Sequence, residues 1–252
     1  MECNCSDSNY NALQLVAKRR LSSFWTFASN FSWSQSLGYD ANNPYNRTLD
    51  YGVGGSTIGG SIDRAVTWTF AHTIKVPYGS GFAHGSNANG VTKLLLSNWV
   101  FSGITSLESG LSFTPTVSSN ASLNGDFTQL PNRVPGANPY SVVGGKSSAQ
   151  WYNPAAFSIP ICCQAGDASV GMLRGPGVIN ADWSLAKNFR AHTPLNREAT
   201  MIEFRAEVFN AWNNKNLGLP IAQVDQTTAG RITDLQSGFP MRRMQFGIHV
   251  AW

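Results

Sequence analysis

The stretch Met244-Gln245-Phe246-Gly247-Ile248-His249-Val250-Ala251-Trp252 decides how the chain is read. Large apolar residues fall at every second position, Met244, Phe246, Ile248, Val250 and Trp252, and polar or small residues fill the gaps. Period-two alternation marks a strand with two unlike faces. A water-soluble protein seldom leaves such an edge bare, because exposed hydrophobic edges template aggregation. The pattern therefore raises the question of which solvent Trp252 faces.

Other segments repeat it. In FWTFASNFSWSQ (24–35), Trp25, Phe27, Phe31 and Trp33 share a face with Ser29, opposite Thr26, Ala28, Asn30, Ser32 and Ser34. In RAVTWTFAHTIKV (64–76), the apolar face runs Val66, Trp68, Phe70, His72, Ile74, Val76. In INADWSLAKNF (179–189), Ile179, Ala181, Trp183, Leu185 and Phe189 share a face that Lys187 interrupts. In MIEFRAEVFNAW (201–212), Ile202, Phe204, Ala206 and Val208 oppose Glu203, Arg205 and Glu207. NWVFSGITSLESG (98–110) alternates more weakly. YNALQLVAKRR (10–20) is weaker still, and periodicity alone leaves a helix open there.

Several alternating runs reach ten residues or more, against about five or six for an ordinary strand and about 9–11 for one that crosses a membrane. The polar faces carry Thr, Ser, Asn and Ala more than Lys and Glu, as a barrel lumen tolerates. The apolar faces carry almost no charge, as expected where a midplane Lys or Arg costs about 2–4 kcal/mol. Trp and Phe gather toward segment ends, like interfacial aromatic girdles.

Composition agrees. The chain has 252 residues, 42% hydrophobic and 13% charged, roughly half the charged share of a soluble domain. Mean hydropathy is −0.17, and no window approaches the roughly 18 uninterrupted apolar residues of a spanning helix. A net charge of +4 is scattered except at Lys18-Arg19-Arg20 and Arg242-Arg243, which flank strand-like segments. This reads as solvated strand ends, not as a nucleic-acid partner.

Seven strands are predicted, at about 10–20, 23–36, 63–76, 98–108, 178–189, 200–211 and 243–252, with a possible eighth near Phe113–Val117. Short connections at 20–23 and 190–199 alternate with long ones at 37–61, 109–175 and 213–240, apart from an intermediate one at 77–96. Outer-membrane barrels pair short periplasmic turns with long external loops. A periplasmic C-terminus puts every long connection outside. Seven is odd, whereas such barrels are normally even, and no signal peptide follows Met1. The expectation is an all-β, antiparallel transmembrane barrel portion, with 1–9 a remnant of an external loop and 10–252 the C-terminal segment of a larger barrel.

The stretches LRGPGVINADWSLAKNF, EFRAEVFNAWNNKNLGLP, GRITD and RRMQFGIHVAW resemble the C-terminal end of Oar-like TonB-dependent receptors. YNALQLVAKRRLSSFWTFASNFSWSQS, SGLSFTPT and WYNPAAFSIP resemble the same family in the same order, from Tyr10 to Trp252. The resemblance implies a plugged barrel of about 22 strands in the cell outer membrane, energised by the TonB complex. It implies a missing plug and missing upstream strands as partners, together with outer-membrane lipid. The terminal Phe246, Ile248, Val250 and Trp252 resemble the signal read by the barrel-assembly machinery. The transported ligand stays open among glycans, peptides and metal chelates.

Glu203, Arg205 and Glu207 are the candidate lumen or plug contacts; the plainer reading is a charge ladder paired with neighbouring strands. Cys3, Cys5, Cys162 and Cys163 allow disulfides between the two clusters, free thiols or, least well, metal ligation, since their spacing is not that of a zinc site. His72, His84, His192 and His249 are dispersed. GVGGS (52–56) and GGS (59–61) lack the Gly-Lys-Ser/Thr of a phosphate loop. Gly-Asp-Ala-Ser (166–169) is not a nucleophile elbow. No enzyme and no cofactor is expected. Two other readings remain: a small autonomous outer-membrane barrel acting as porin or adhesin, and a soluble all-β glycan-binding sandwich or propeller.

Overall fold

The computed structural model describes residues 8–38, 52–53, 63–78, 82, 84–85, 89–118, 129–162, 164, 166–192 and 199–251. In chain order the strands are β1 (Ser8–Arg20), β2 (Trp25–Gly38), β3 (Gly52–Val53), β4 (Val66–Lys75), β5 (Trp99–Glu108), β6 (Ser112–Phe113), β7 (Asn132–Arg133), β8 (Phe157–Ser158), β9 (Leu173–Arg174), β10 (Val178–His192), β11 (Ala199–Phe209) and β12 (Arg243–Ala251). A helix, α1 (Gly90–Leu96), lies between β4 and β5. No helix among the described residues is long and apolar enough to cross a membrane.

The seven long strands form one antiparallel sheet in the order β1-β2-β4-β5-β10-β11-β12, with the two-residue β3 beside β2. Each pairs with the next long strand in sequence, so the sheet is a plain meander. The weakly patterned stretch at 10–20 is a strand, since β1 pairs with β2 from Ser8↔Gly38 to Arg20↔Thr26. All seven expected strands are present within a few residues of their expected bounds. The possible eighth does not join this sheet. Its first residue, Phe113, belongs to β6, which pairs with β9, and Pro115 follows it, a residue without the N–H that a ladder needs.

Register carries the alternation across the sheet. Phe27, His72, Gly103, Trp183, Val208 and Met244 are successive cross-strand partners on the apolar face. Thr26, Thr73, Ser102, Ser184, Glu207 and Gln245 are partners on the polar one. Aromatic rings pack along the apolar face at centroid spacings of 5.9 Å (Phe27–Phe70), 5.6 Å (Phe70–His72), 5.2 Å (His72–Phe101) and 6.0 Å (Phe101–Trp183). Gly103 makes this possible: a Cβ there would meet the His72 ring at 2.7 Å and the Trp183 ring at 2.9 Å. Aromatics thus run through the middle of the face as well as along its margins, more broadly than two girdles would require.

The buried core is elsewhere. Phe113, Leu130, Tyr152, Ala156, Phe157, Ala168 and Leu173 form the hydrophobic cluster, all within the connection between β5 and β10. Leu219, Ala222 and Val224, from the connection between β11 and β12, pack against it. Backbone hydrogen bonds lock the two connections together: Thr116 N to Ala222 O at 3.0 Å, Val224 N to Thr116 O at 2.8 Å, Trp151 N to Gly230 O at 2.8 Å and Ile232 N to Ser148 O at 2.8 Å. They make a folded cap at the long-loop end of the sheet. The sheet itself leaves large apolar side chains uncovered, including Leu15, Trp33, Phe246 and Ile248. A sheet in water would cover that face with its own chain.

Candidate functional site on the polar face

A cavity of about 550 Å³ lies against the polar face, bordered by residues of β1, β2, β4, β5, β10 and β11. One cavity can border six adjacent strands only if the sheet curls toward that face, so the polar face is the concave side. Lys18 of β1 stands on one flank, and Asp182 and Glu207 on the other; Thr26, Thr73, Ser102 and Ser184 lie between. Ser102 donates to the Thr73 hydroxyl at 3.3 Å. The Asp182 carboxylate accepts the Asn210 N–H at 2.8 Å, which ties the end of β11 to β10. The wall mixes hydroxyls, with a cation and carboxylates at opposite sides, with the apolar side chains of Ala28, Ala71, Ile104 and Phe209, a surface that suits an amphipathic partner more than a purely polar one.

Glu203, Arg205 and Glu207 lie on this concave face. The Arg205 guanidinium bonds Glu203 Oε1 at 2.6 and 3.0 Å and approaches Glu207 Oε1 at 3.8 Å. Gln245 of β12 donates to Glu207, and His249 is the cross-strand neighbour of Glu203. The three form a ladder along β11, with the Arg205 side chain half exposed. Pairing runs within the strand at two-residue spacing, more than between strands.

Two features of the rim are not evident from strand periodicity. Asp63, just before β4, is buried and holds Arg174 of β9 at 2.8 Å, while its other oxygen accepts the Ser36 N–H at 3.1 Å. Arg174 also donates to the carbonyls of Asp63 and Gly110. Beside it, Arg64 pairs with Glu108 at 2.9 Å. Tyr152 is fully buried in the cap and donates to Ile221 O at 3.0 Å. Burial, and then the Asp225 carboxylate, raise its phenol well above the usual tyrosine range, against a smaller opposing effect of the Gly230 backbone.

The other expected residues are placed as follows. Phe246, Ile248 and Val250 lie exposed on the apolar face of β12, with Phe246 stacked on Phe204 at 6.4 Å; Trp252 lies outside the described residues. Cys162 is exposed in the connection between β5 and β10, and Cys3, Cys5 and Cys163 are outside the described residues, as is most of the glycine-rich 52–61. His72 sits between the rings of Phe70 and Phe101, far in sequence and strand position from His249. Among the described residues no three His, Cys, Asp or Glu side chains come together to hold a metal.

The family model of the outer membrane beta barrel domain matches residues 1–245. The chain belongs to that family. Its strands are outer-membrane barrel strands, and the apolar face of this outer membrane beta barrel domain is the one turned to lipid. Lipid supplies the cover that the chain itself does not. No curated protein and no solved structure matches the chain.

Proposed function

We propose that this domain is the C-terminal wall segment of a TonB-dependent outer-membrane receptor of the Oar-like kind. It would bind and pass a ligand (glycan, peptide or metal chelate) without a catalytic step. The observation that carries the reading is the pair of unsatisfied edges: among the described residues, β1 pairs only with β2 and β12 only with β11. In lipid each unpaired backbone group costs several kcal/mol, so each edge needs a strand partner, which the remaining strands of a larger barrel would supply. The ordered motifs shared with that family from Tyr10 to Trp252 support the same conclusion. In this arrangement the cap at the long-loop end faces outward, the C-terminus lies in the periplasm, and Glu203, Arg205 and Glu207 face the plug. The barrel-assembly machinery would read Phe246, Ile248, Val250 and Trp252.

The inward curl of the sheet favours a second reading, a small autonomous barrel in which β1 and β12 meet. One experiment separates the two. Antibodies against the cap, applied to outer membranes of cells making the full protein, are expected to detect a polypeptide far larger than 27.3 kDa that cross-links to TonB. A heat-modifiable monomer of 27.3 kDa would instead establish the small barrel.

A further inference from the structure

The connection between β4 and β5 contains a helix whose exposed side is the wrong one for water. In α1, Thr92 and Lys93 are partly buried, while Val91, Leu94, Leu95 and Leu96 are 68%, 56%, 59% and 48% exposed. A helix facing water carries its apolar residues inward. Seven residues are also too few for a helix to persist unaided. What holds it is visible at each end. The Asn89 side chain accepts the Thr92 N–H at 2.8 Å at the start. At the other end, Trp99 Nε1 donates to Leu95 O at 2.8 Å, and Lys187 Nζ donates to Leu95 O at 3.2 Å and Ser97 O at 2.6 Å.

Trp99 and Lys187 are direct cross-strand partners on the apolar face. The helix is therefore bolted to the outer, lipid-facing wall, not to the concave side where a plug would sit. Its leucines project from that wall at the short-turn end of the sheet, continuous with the lipid-facing Trp99 and Phe189. Arg19, on the same apolar face as Phe27, and Lys93 stand at this end, which suits anionic headgroups. Lys187, a charge within an apolar face, is explained as well: its ammonium lies against the helix carbonyls and over the Trp99 ring at 4.8 Å.

We propose that α1 is an interfacial anchor whose Val91, Leu94, Leu95 and Leu96 enter the headgroup–acyl boundary of the phospholipid leaflet at the short-turn end. The assignment to the periplasmic leaflet rests on the barrel orientation given above; lipid contact itself does not. Helices of this kind take affinity from buried apolar area and from attraction to anionic lipid.

The test uses the full protein with its native cysteines replaced by serine. Leu95→Cys and, separately, Val91→Cys carry an environment-sensitive fluorophore in vesicles of phosphatidylethanolamine and phosphatidylglycerol. The expected result is blue-shifted emission, quenched at least twofold by lipids brominated near the headgroup and little by aqueous iodide. Iodide quenching without bromine quenching would overturn the proposal, as would protection from both, which would mean a protein cover such as a second copy. In intact cells, labelling of Leu95→Cys by an impermeant maleimide from outside would overturn the leaflet assignment. If the receptor reading fails and the protein is a small barrel, the bromine quenching is still expected.

Discussion

The Trp68 indole N–H donates to the Ser29 hydroxyl at 2.9 Å, joining two outward-facing residues of adjacent strands. The contact explains a serine among aromatics. An indole N–H turned to hydrocarbon has no water to bond, and leaving such a donor unsatisfied costs about 1–3 kcal/mol. Ser29→Ala in the full protein is expected to lose stability in that range, read by urea unfolding in lipid vesicles. Trp68→Phe, which removes the donor, is expected to make the serine replacement nearly neutral. Equal losses from Ser29→Ala in both backgrounds would show that the hydrogen bond contributes nothing.

That pair also marks the boundary of what sequence reading reached. Period two placed Trp68 and Ser29 on one face, because side-chain direction in a strand follows from parity alone. It could not pair them, because register depends on where each connection returns the chain. Parity likewise shows Lys187 interrupting an apolar face, but its partners, the carbonyls of Leu95 in α1 and of Ser97 just after it, lie about ninety residues away. The stretch Asn-Gly-Val-Thr-Lys-Leu-Leu-Leu (89–96) carried a usable signal in its Asn cap and following leucines, although so short a helix has little propensity of its own. The cap was the least legible part. Its core residues, such as Phe113, Tyr152 and Leu173, are far apart in sequence and follow no period.

The Asp63–Arg174 pair pins the cap to the sheet, and removing one side of it should loosen the cap. The Asp63 side chain is 2% exposed and that of Arg174 32%. Breaking a pair of this kind costs about 3–5 kcal/mol when the remaining charge is fully buried. In Arg174→Met the charge left behind is the buried Asp63, which keeps its bond from the Ser36 N–H, and this places the loss toward the lower end of that range. Limited proteolysis of the full protein is expected to cut within 109–177 at least tenfold faster. The combined Asp63→Asn, Arg174→Met variant is expected to recover part of the protection. Unchanged cutting of the single variant would remove the pair from any role in holding the cap.

Alkali should open the cap through Tyr152. Its phenol is held above the unfolded value of about 10, chiefly by burial and then by Asp225. The sign follows: the folded state keeps a proton that the unfolded state releases. The contribution is complete below about pH 10 and is lost as pH rises beyond it. Protease protection of the cap is therefore expected to fall above about pH 10. Tyr152→Phe should flatten that fall, at the expense of about 1 kcal/mol at neutral pH for the lost bond to Ile221 O. Tyr152 ionising together with the other tyrosines in an absorbance titration would contradict this.

Arg205 separates a structural role of the concave face from the proposed plug or ligand role. It bonds Glu203 and approaches Glu207 on the same strand, so Arg205→Glu would set three carboxylates in a row. Because the Arg205 side chain is 51% exposed, solvent screens the ladder, and the lost attraction is worth only about 0.2–1 kcal/mol; like-charge repulsion adds a similar amount. The expected variant still assembles, with a barrel less stable by about 1 kcal/mol in denaturant titration. If the ladder also seats the plug, the same substitution should weaken plug retention or ligand uptake several-fold, and Arg205→Lys should restore most of it. Unchanged uptake beside the lowered stability would leave Glu203, Arg205 and Glu207 as wall structure alone.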